Sequence, residues 1–224
     1  MTLWRSLAMR RALQWTAIAG LAAVILFVSF IHDFLAISEP VDANVLVFES
    51  WAWKSAAMQE AAEEFRRGQY DVVLTVGVFP GIKEGELMQE NDAALAAEQL
   101  RKLGVDANAI EVLAVPNIDR HRTYASALAV KKWLADSKVD AVGINVFTVG
   151  AHARKSLVLF KRALGGSVPV GVIAGTEDGY DTERWWLSVR GIYTVLRKTV
   201  GYLYADWWPL PDDLPVSIAS LGGS

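Results

Sequence analysis

Apolar and polar segments alternate regularly after about residue 40, and this alternation predicts strands and helices in turn. Short, nearly uninterrupted apolar runs predict five strands, at 45–48, 72–76, 110–115, 141–146 and 168–173. The segments between and after them predict helices, at 56–67, 93–103, 123–134 and 151–164. Strands that are apolar on both faces are typical of parallel sheets covered by helices. The pattern therefore predicts an α/β fold, a Rossmann-like parallel sheet of about five strands flanked by helices.

A longer apolar segment near the start of the chain predicts a transmembrane helix. Residues 12–31 carry no charge, and as a helix they would span a hydrocarbon core of about 30 Å. The flanking charges are Arg5, Arg10 and Arg11 before the segment, and Asp33, Glu39 and Asp42 after it. The positive-inside rule therefore places the N-terminus in the cytoplasm and the following domain outside it. A signal peptide cleaved near Ala36-Ile37-Ser38 is the alternative, but the apolar run is longer than such peptides usually contain.

These patterns divide the chain into three parts. Residues 1–39 are the cytoplasmic start and the transmembrane anchor, residues 40–208 form one Rossmann-like extracytoplasmic domain, and residues 209–224 form a flexible tail. The formal net charge of −3 gives no basic surface, so nucleic acid is not an expected partner. The chain has no cysteine, which excludes disulfides, thiol nucleophiles and thiolate metal sites, and its three histidines argue against a multi-histidine zinc site. No nucleotide-binding or metal-spacing motif is present, so neither a cofactor nor a metal is expected.

The last predicted helix, 184–204, has one continuous apolar stripe. Its members are Trp185, Val189, Ile192, Leu196, Val200 and Leu203. Arg190, Arg197 and Lys198 interrupt the segment, so it is not a second membrane span. The favoured interpretation is a helix that covers the sheet, with Ile192 and Leu196 as core positions. Contact of the stripe with a membrane is the alternative.

Polar residues concentrate where the predicted strands end. Parallel sheets bind ligands beyond the carboxyl ends of their strands, so the candidate segments are 49–53, 77–86, 116–122 and 148–154. The segment after the third strand contains Asp119, Arg120, Arg122 and Thr123, and the one after the fourth contains Thr148, His152, Arg154 and Lys155. Both open helices, whose N-termini favour anions. Together they predict a site for a phosphate or a carboxylate of a small molecule or glycan.

Each residue of this site has a predicted role and a purely structural alternative. Glu49 and His152 are the candidate catalytic residues, with Glu49 as acid or base. The anion would be held by Arg120, Arg122, Thr123, Thr148, Arg154 and Lys155, with His152 beside them and Thr148 orienting the ligand. Alternatively, the arginines pair with nearby acids, Thr123 caps a helix, and a lone histidine satisfies a loop carbonyl.

Several short motifs follow one another in a recognisable order. They are Thr75-Val76-Gly77, Leu103-Gly104-Val105, Arg122-Thr123-Tyr124-Ala125-Ser126-Ala127 and Thr148-x-x-x-His152-x-x-Lys155. In order and spacing they resemble the SanA/ElyC/YdcF family, over roughly residues 43–173. The resemblance implies a Rossmann-like domain. For a membrane-anchored member it also implies a role in envelope integrity and in peptidoglycan or surface-polysaccharide metabolism.

The chain departs from the family pattern at several positions. Ala125 stands where the family has an acidic residue, Lys155 stands where it has an arginine, and the first strand ends in Phe48-Glu49-Ser50 rather than in glycines. Two functions therefore stay open. One is an enzyme or ligand-binding protein that acts on a phosphate-bearing glycan or lipid-linked intermediate, as the retained His152 favours. The other is a non-catalytic interaction module in envelope or surface-polysaccharide assembly, as the missing acid favours.

Overall fold

The computed structural model describes residues 2–78, 92–115, 120–211, 214 and 219–220. Its helices are α1 (Thr2–Leu35), α2 (Ala57–Arg67), α3 (Asp92–Lys102), α4 (Arg122–Asp136), α5 (Ala153–Leu164) and α6 (Val189–Trp207). Its strands are β1 (Val45–Glu49), β2 (Val72–Val78), β3 (Ile110–Val115), β4 (Ile144–Val149), β5 (Val170–Gly175) and β6 (Ala219–Ser220). Most of the candidate segment 77–86, and residues 116–119 with Asp119, lie outside the described residues.

The strands form one sheet in the order β5-β4-β1-β2-β3-β6. Strands β1 to β5 pair in parallel, which confirms the predicted Rossmann-like core, and the two-residue β6 pairs antiparallel with β3. Central β1 has β2 on one side and β4 on the other. Strands β2 and β3 follow β1 on one side, whereas β4 and β5 lie on its other side, so the strand order reverses between β1 and β4. This is the switch point at which open α/β sheets bind their ligands.

Helices cover both faces of the sheet, and the side chains of β1 alternate between them. Val45 and Val47 belong to a buried cluster that includes residues of α4 and α5, whereas Leu46 and Phe48 pack with residues of α2 and α3. Because side chains alternate along a strand, Glu49 falls on the α4–α5 side. The strand thus delivers a carboxyl group to the edge of the core, directly beyond four buried apolar residues.

Strand β4 lies three residues later than predicted. The sequence predicts it at 141–146, whereas it runs from Ile144 to Val149. The apolar residues before it belong to the preceding loop, where Val142 N–H donates to Asn44 Oδ1 at 3.0 Å. Thr148, predicted in a loop, is consequently the penultimate residue of the strand.

Helix α1 runs without interruption from the start of the chain onto the domain. Among the described residues, its segment Ala12–Leu35 is the one helix long and apolar enough to cross a membrane, with a mean hydropathy of 2.2. Its end packs on the domain, because Leu35 is fully buried in a cluster with Ala151 and Trp185. Trp185 Nε1–H also donates to the Val28 carbonyl at 3.3 Å. The last turns of α1 are therefore part of the packed domain.

Helix α6 packs through the face opposite its apolar stripe. Its buried residues are Gly191, Val195 and Ala205, whereas Ile192 and Leu196 are 39% and 45% exposed. The prediction that these two are core positions is therefore wrong. The physical reason is that the packed face carries small residues: a Cβ at Gly191 would lie 2.2 Å from the Trp185 carbonyl oxygen, so only glycine fits there.

Candidate anion-binding site

A cavity of about 420 Å³ lies beyond the carboxyl ends of β1 and β2 and beside the turn that follows β4. Its walls come from the ends of these strands, the starts of α3, α4 and α5, and α6. Its ionisable side chains are the carboxyl groups of Glu49 and Asp92, the imidazoles of His121 and His152, and the cations Arg122, Lys155, Arg197 and Lys198. The cavity thus occupies the switch point and combines polar groups of both signs.

Glu49 is a buried carboxyl group at the edge of this cavity. It is 2% exposed, and Ser156 Oγ–H donates to its Oε2 at 2.5 Å. Burial raises the pKa of Glu49, because the charged form loses its hydration, and the Ser156 hydrogen bond opposes that rise. The buried Thr148 hydroxyl acts in the same direction as Ser156, although its Oγ1 forms no well-aligned hydrogen bond with a described residue. A carboxyl group in such surroundings is suited to hold or transfer a proton.

His152 follows β4 and lies in contact with groups from three other elements. Its Nδ1 is 2.9 Å from Lys198 Nζ, and its Nε2 is 3.4 Å from Thr123 Oγ1 and 3.7 Å from Glu49 Oε1. Burial lowers the pKa of His152 well below its ordinary value, and the neighbouring cations lower it further. The ring is therefore neutral at pH 7. Because an ammonium group can only donate, Nδ1 accepts from Lys198 and the ring proton lies on Nε2.

This arrangement differs from a nucleophile–histidine–acid triad. In such a triad the hydroxyl group and the carboxylate face different nitrogens of the imidazole. Here the Thr123 hydroxyl and the Glu49 carboxyl both approach Nε2, and Nδ1 faces a cation. The described residues therefore form a buried acid–imidazole pair rather than an activated hydroxyl nucleophile.

Lys155 and Lys198 bring positive charge into the cavity from α5 and α6. Burial lowers the pKa of both, that of Lys198 to about 8, and the adjacent Arg197 adds to the effect while Glu49 opposes it. Lys198 Nζ also lies 4.7 Å from the centroid of the Trp51 ring, a cation–π contact. Both ammonium groups are thus poorly hydrated, and a negative ligand would relieve that cost.

Arg122 and Arg197 complete the positive side of the cavity with exposed guanidinium groups. No described carboxylate lies within 4.0 Å of the cationic nitrogens of these arginines or of Lys155 and Lys198. Asp92 also lines the cavity, but its Oδ1 accepts a hydrogen bond from Trp53 Nε1 at 3.1 Å. The described part of the site therefore carries an excess of positive charge. An anion with several oxygen atoms matches it best.

Five of the eight residues predicted from the sequence line the cavity. They are Glu49, Arg122, Thr123, His152 and Lys155. Thr148 lies behind the cavity wall, against the carboxyl group of Glu49. Thr123 does not cap α4, because the N-cap position belongs to His121, whose backbone is left-handed with φ of 59°. The hydroxyl of Thr123 faces His152 instead.

Arg120 and Arg154 do not line the cavity, although the sequence predicts both as anion ligands. Arg120 is exposed, two residues before the arginine that does line it. Arg154 contacts α1: its Nε donates to the Phe34 carbonyl, and its guanidinium lies 3.9 Å from the Phe34 ring centroid. Adjacent residues of a helix point about 100° apart, so Lys155 can face the cavity while Arg154 faces α1.

The site also contains polar and aromatic residues that were not predicted as site residues: Trp51, Asp92, His121, Ser126, Ser156, Arg197 and Lys198. Trp51 lies in the segment 49–53 that the strand-end rule selects. Arg197 and Lys198 were not predicted as site residues because the apolar stripe of their helix was expected to face the sheet. A sequence signal for the true orientation does exist, since Gly191, Val195 and Ala205 share one side of α6 with Lys198.

Comparison with known proteins identifies neither a family nor a function for this protein. The sequence matches no protein-family model and no curated protein, and the structure matches no solved structure. What the protein does is therefore inferred from its own residues and their arrangement.

Proposed function

We propose that this protein is a membrane-anchored envelope protein of the SanA/ElyC/YdcF type that binds or processes a phosphate-bearing glycan or lipid-linked intermediate. The observation that carries the proposal is the convergence of Arg122, Lys155, Arg197 and Lys198 on one cavity, with no described carboxylate within 4.0 Å of them. A phosphate group offers several oxygens to guanidinium and ammonium groups at once. The order of the family-like motifs supports the envelope role.

The packing of α1 supports a retained anchor. Cleavage after Ser38 would remove Leu35, which is fully buried, together with the Val28 carbonyl that accepts from Trp185. A signal peptide that leaves the mature protein does not contribute such core contacts. The arginines before the apolar segment support a cytoplasmic N-terminus and an extracytoplasmic domain.

The Glu49–His152 pair supports processing of the ligand as well as binding. The Nε2–H of neutral His152 can donate a hydrogen bond to a ligand oxygen, and the raised pKa of Glu49 suits its carboxyl group to give or take a proton beside it. A role as a non-catalytic module is favoured by a different residue. Ala125, where the resembling family has an acid, is 1% exposed on α4 and offers no group for chemistry.

Binding can be tested with full-length protein in lipid nanodiscs by isothermal titration. The probes are inorganic phosphate, a sugar phosphate and a polyprenyl phosphate, with the unphosphorylated sugar as the control ligand. Arg122→Ala should weaken phosphate binding by roughly tenfold, as expected for losing one charge-assisted hydrogen bond. The matched control Arg120→Ala removes an arginine two residues away that does not line the cavity, and it should leave affinity unchanged.

Two further results distinguish the alternatives. The assignment of the cavity as the phosphate site would be overturned if none of the three phosphate probes binds. It would also be overturned if Arg122→Ala and Arg120→Ala lose the same amount of phosphate affinity. If the phosphate probes bind, release of product is then measured for the wild type, Glu49→Gln and His152→Ala. If the wild type releases product and the two variants do not, the protein is an enzyme. Binding without release supports the non-catalytic module.

A further inference from the structure

The outward face of α6 is apolar along its whole length. Its members are Val189, Ile192, Leu196, Val200, Leu203 and Trp207, which we call the outer face of α6. They are 39% to 86% exposed, and on a helical wheel they fall opposite the buried Gly191, Val195 and Ala205. A continuous exposed apolar surface of this kind marks an interaction site in a folded protein.

The outer face lies beside the candidate membrane span. Phe34 of α1 and Tyr202 of α6 are in ring contact, with centroids 5.4 Å apart. Trp185, just before α6, donates to the Val28 carbonyl inside the candidate span. Continuity with the span thus places α6 where a bilayer surface would be.

The residues that border the outer face have the chemistry of a membrane interface. Exposed Trp186, Tyr193, Tyr204 and Trp208 add aromatic rings with polar atoms, which concentrate at the level of lipid headgroups. Exposed Arg190 flanks the face and can reach lipid phosphates. We propose that the outer face of α6 rests in the headgroup layer of the membrane that α1 crosses.

This placement also orients the anion-binding cavity. Arg197, Lys198 and Gly201 of the same helix line that cavity, so one side of the site is built on a membrane-bound element. Ala151, next to His152, packs with Leu35 at the end of α1. The cavity therefore lies on the side of the domain that faces the lipid.

The absence of cysteine allows a direct test in the full-length protein. Val200→Cys and Val142→Cys each receive one environment-sensitive fluorophore, in nanodiscs of phosphatidylcholine and phosphatidylglycerol with or without nitroxide-labelled lipid. Val200 is 67% exposed and Val142 is 55% exposed. Val142 precedes β4 and so lies at the end of the sheet opposite to the cavity. The two sites are therefore matched in residue type and exposure.

The probe at position 200 should emit at shorter wavelength than the probe at 142, and nitroxide lipid should quench it selectively. Equal, water-like emission from both probes would overturn the proposal. A blue-shifted but unquenched probe at 200, with two copies of the chain in each nanodisc, would show that a second copy covers the face and would also overturn it. The measurement uses no phosphate ligand, so its outcome is independent of the proposed binding function.

Discussion

Replacing Lys198 by methionine should stabilise the protein, and the gain should shrink as the pH rises. Burial lowers the pKa of Lys198 from 10.5 to about 8. A pKa difference of that size corresponds to about 3 kcal/mol of unfolding free energy. This is the upper limit of the gain, because Lys198→Met also loses the hydrogen bond from Nζ to His152. Methionine keeps much of the length and apolar stem of lysine without the charge.

The sign of the pH dependence follows from the lowered pKa. Below about pH 8, Lys198 is charged in the folded and the unfolded protein, and the whole desolvation cost opposes folding. Between about pH 8 and pH 10.5 the folded protein loses this proton first, so the wild type gains stability relative to Lys198→Met. The difference between the two proteins should therefore fall by about 2 to 3 kcal/mol between pH 7 and pH 10.

Urea unfolding followed by tryptophan fluorescence, with full-length protein in detergent micelles, measures this difference at the two pH values. Lys131→Met is the matched control, because Lys131 is exposed on α4. It should change stability little, and equally at both pH values. A Lys198→Met effect that is the same at pH 7 and pH 10 would refute the claim that the Lys198 ammonium group is desolvated.

Two further predictions test the packing that positions the site. Leu35→Ala should lower the unfolding free energy by about 2–5 kcal/mol because it leaves a cavity in the core. Leu21, in the candidate span, is 62% exposed, so Leu21→Ala should be nearly neutral in the same urea assay. Gly150→Ala should destabilise the domain more than Gly104→Ala. Both glycines have positive φ, but only at Gly150 would the new Cβ meet a side chain, Glu177 Cβ at 2.9 Å, so similar thermal shifts would contradict this account.

The sheet was predictable because its signal is local. Every residue of β1 and β4 is buried, and such runs are recognisable without knowledge of their partners. The strand-end rule then selects Glu49 and the segment with His152, because the carboxyl ends of neighbouring parallel strands meet at one edge. The predicted ends of β4 were less accurate, since Val142 is apolar but is held by a loop hydrogen bond.

The contribution of α6 was not predictable from its periodicity alone. An apolar stripe shows that a helix has two different faces, but it does not show which face meets the domain. In a water-soluble protein the apolar face is buried. Here the domain instead contacts the face with Gly191 and Ala205, which permits close packing, and Lys198 is carried inward on that face. Because the apolar stripe was taken as the buried face, the two cations that α6 supplies to the cavity, Arg197 and Lys198, were not predicted.

The contact between α1 and the segment before α6 has a consequence for the order of biosynthesis. Trp185 and Val28 are 157 residues apart in the sequence. During translation the N-terminal helix is made first, and the tryptophan that docks against it emerges only after β5. Contacts that close such long loops form late in folding. A nascent or truncated chain that ends before α6 consequently lacks Lys198 beside His152, so the cavity is complete only after nearly all of the polypeptide has been synthesised and folded.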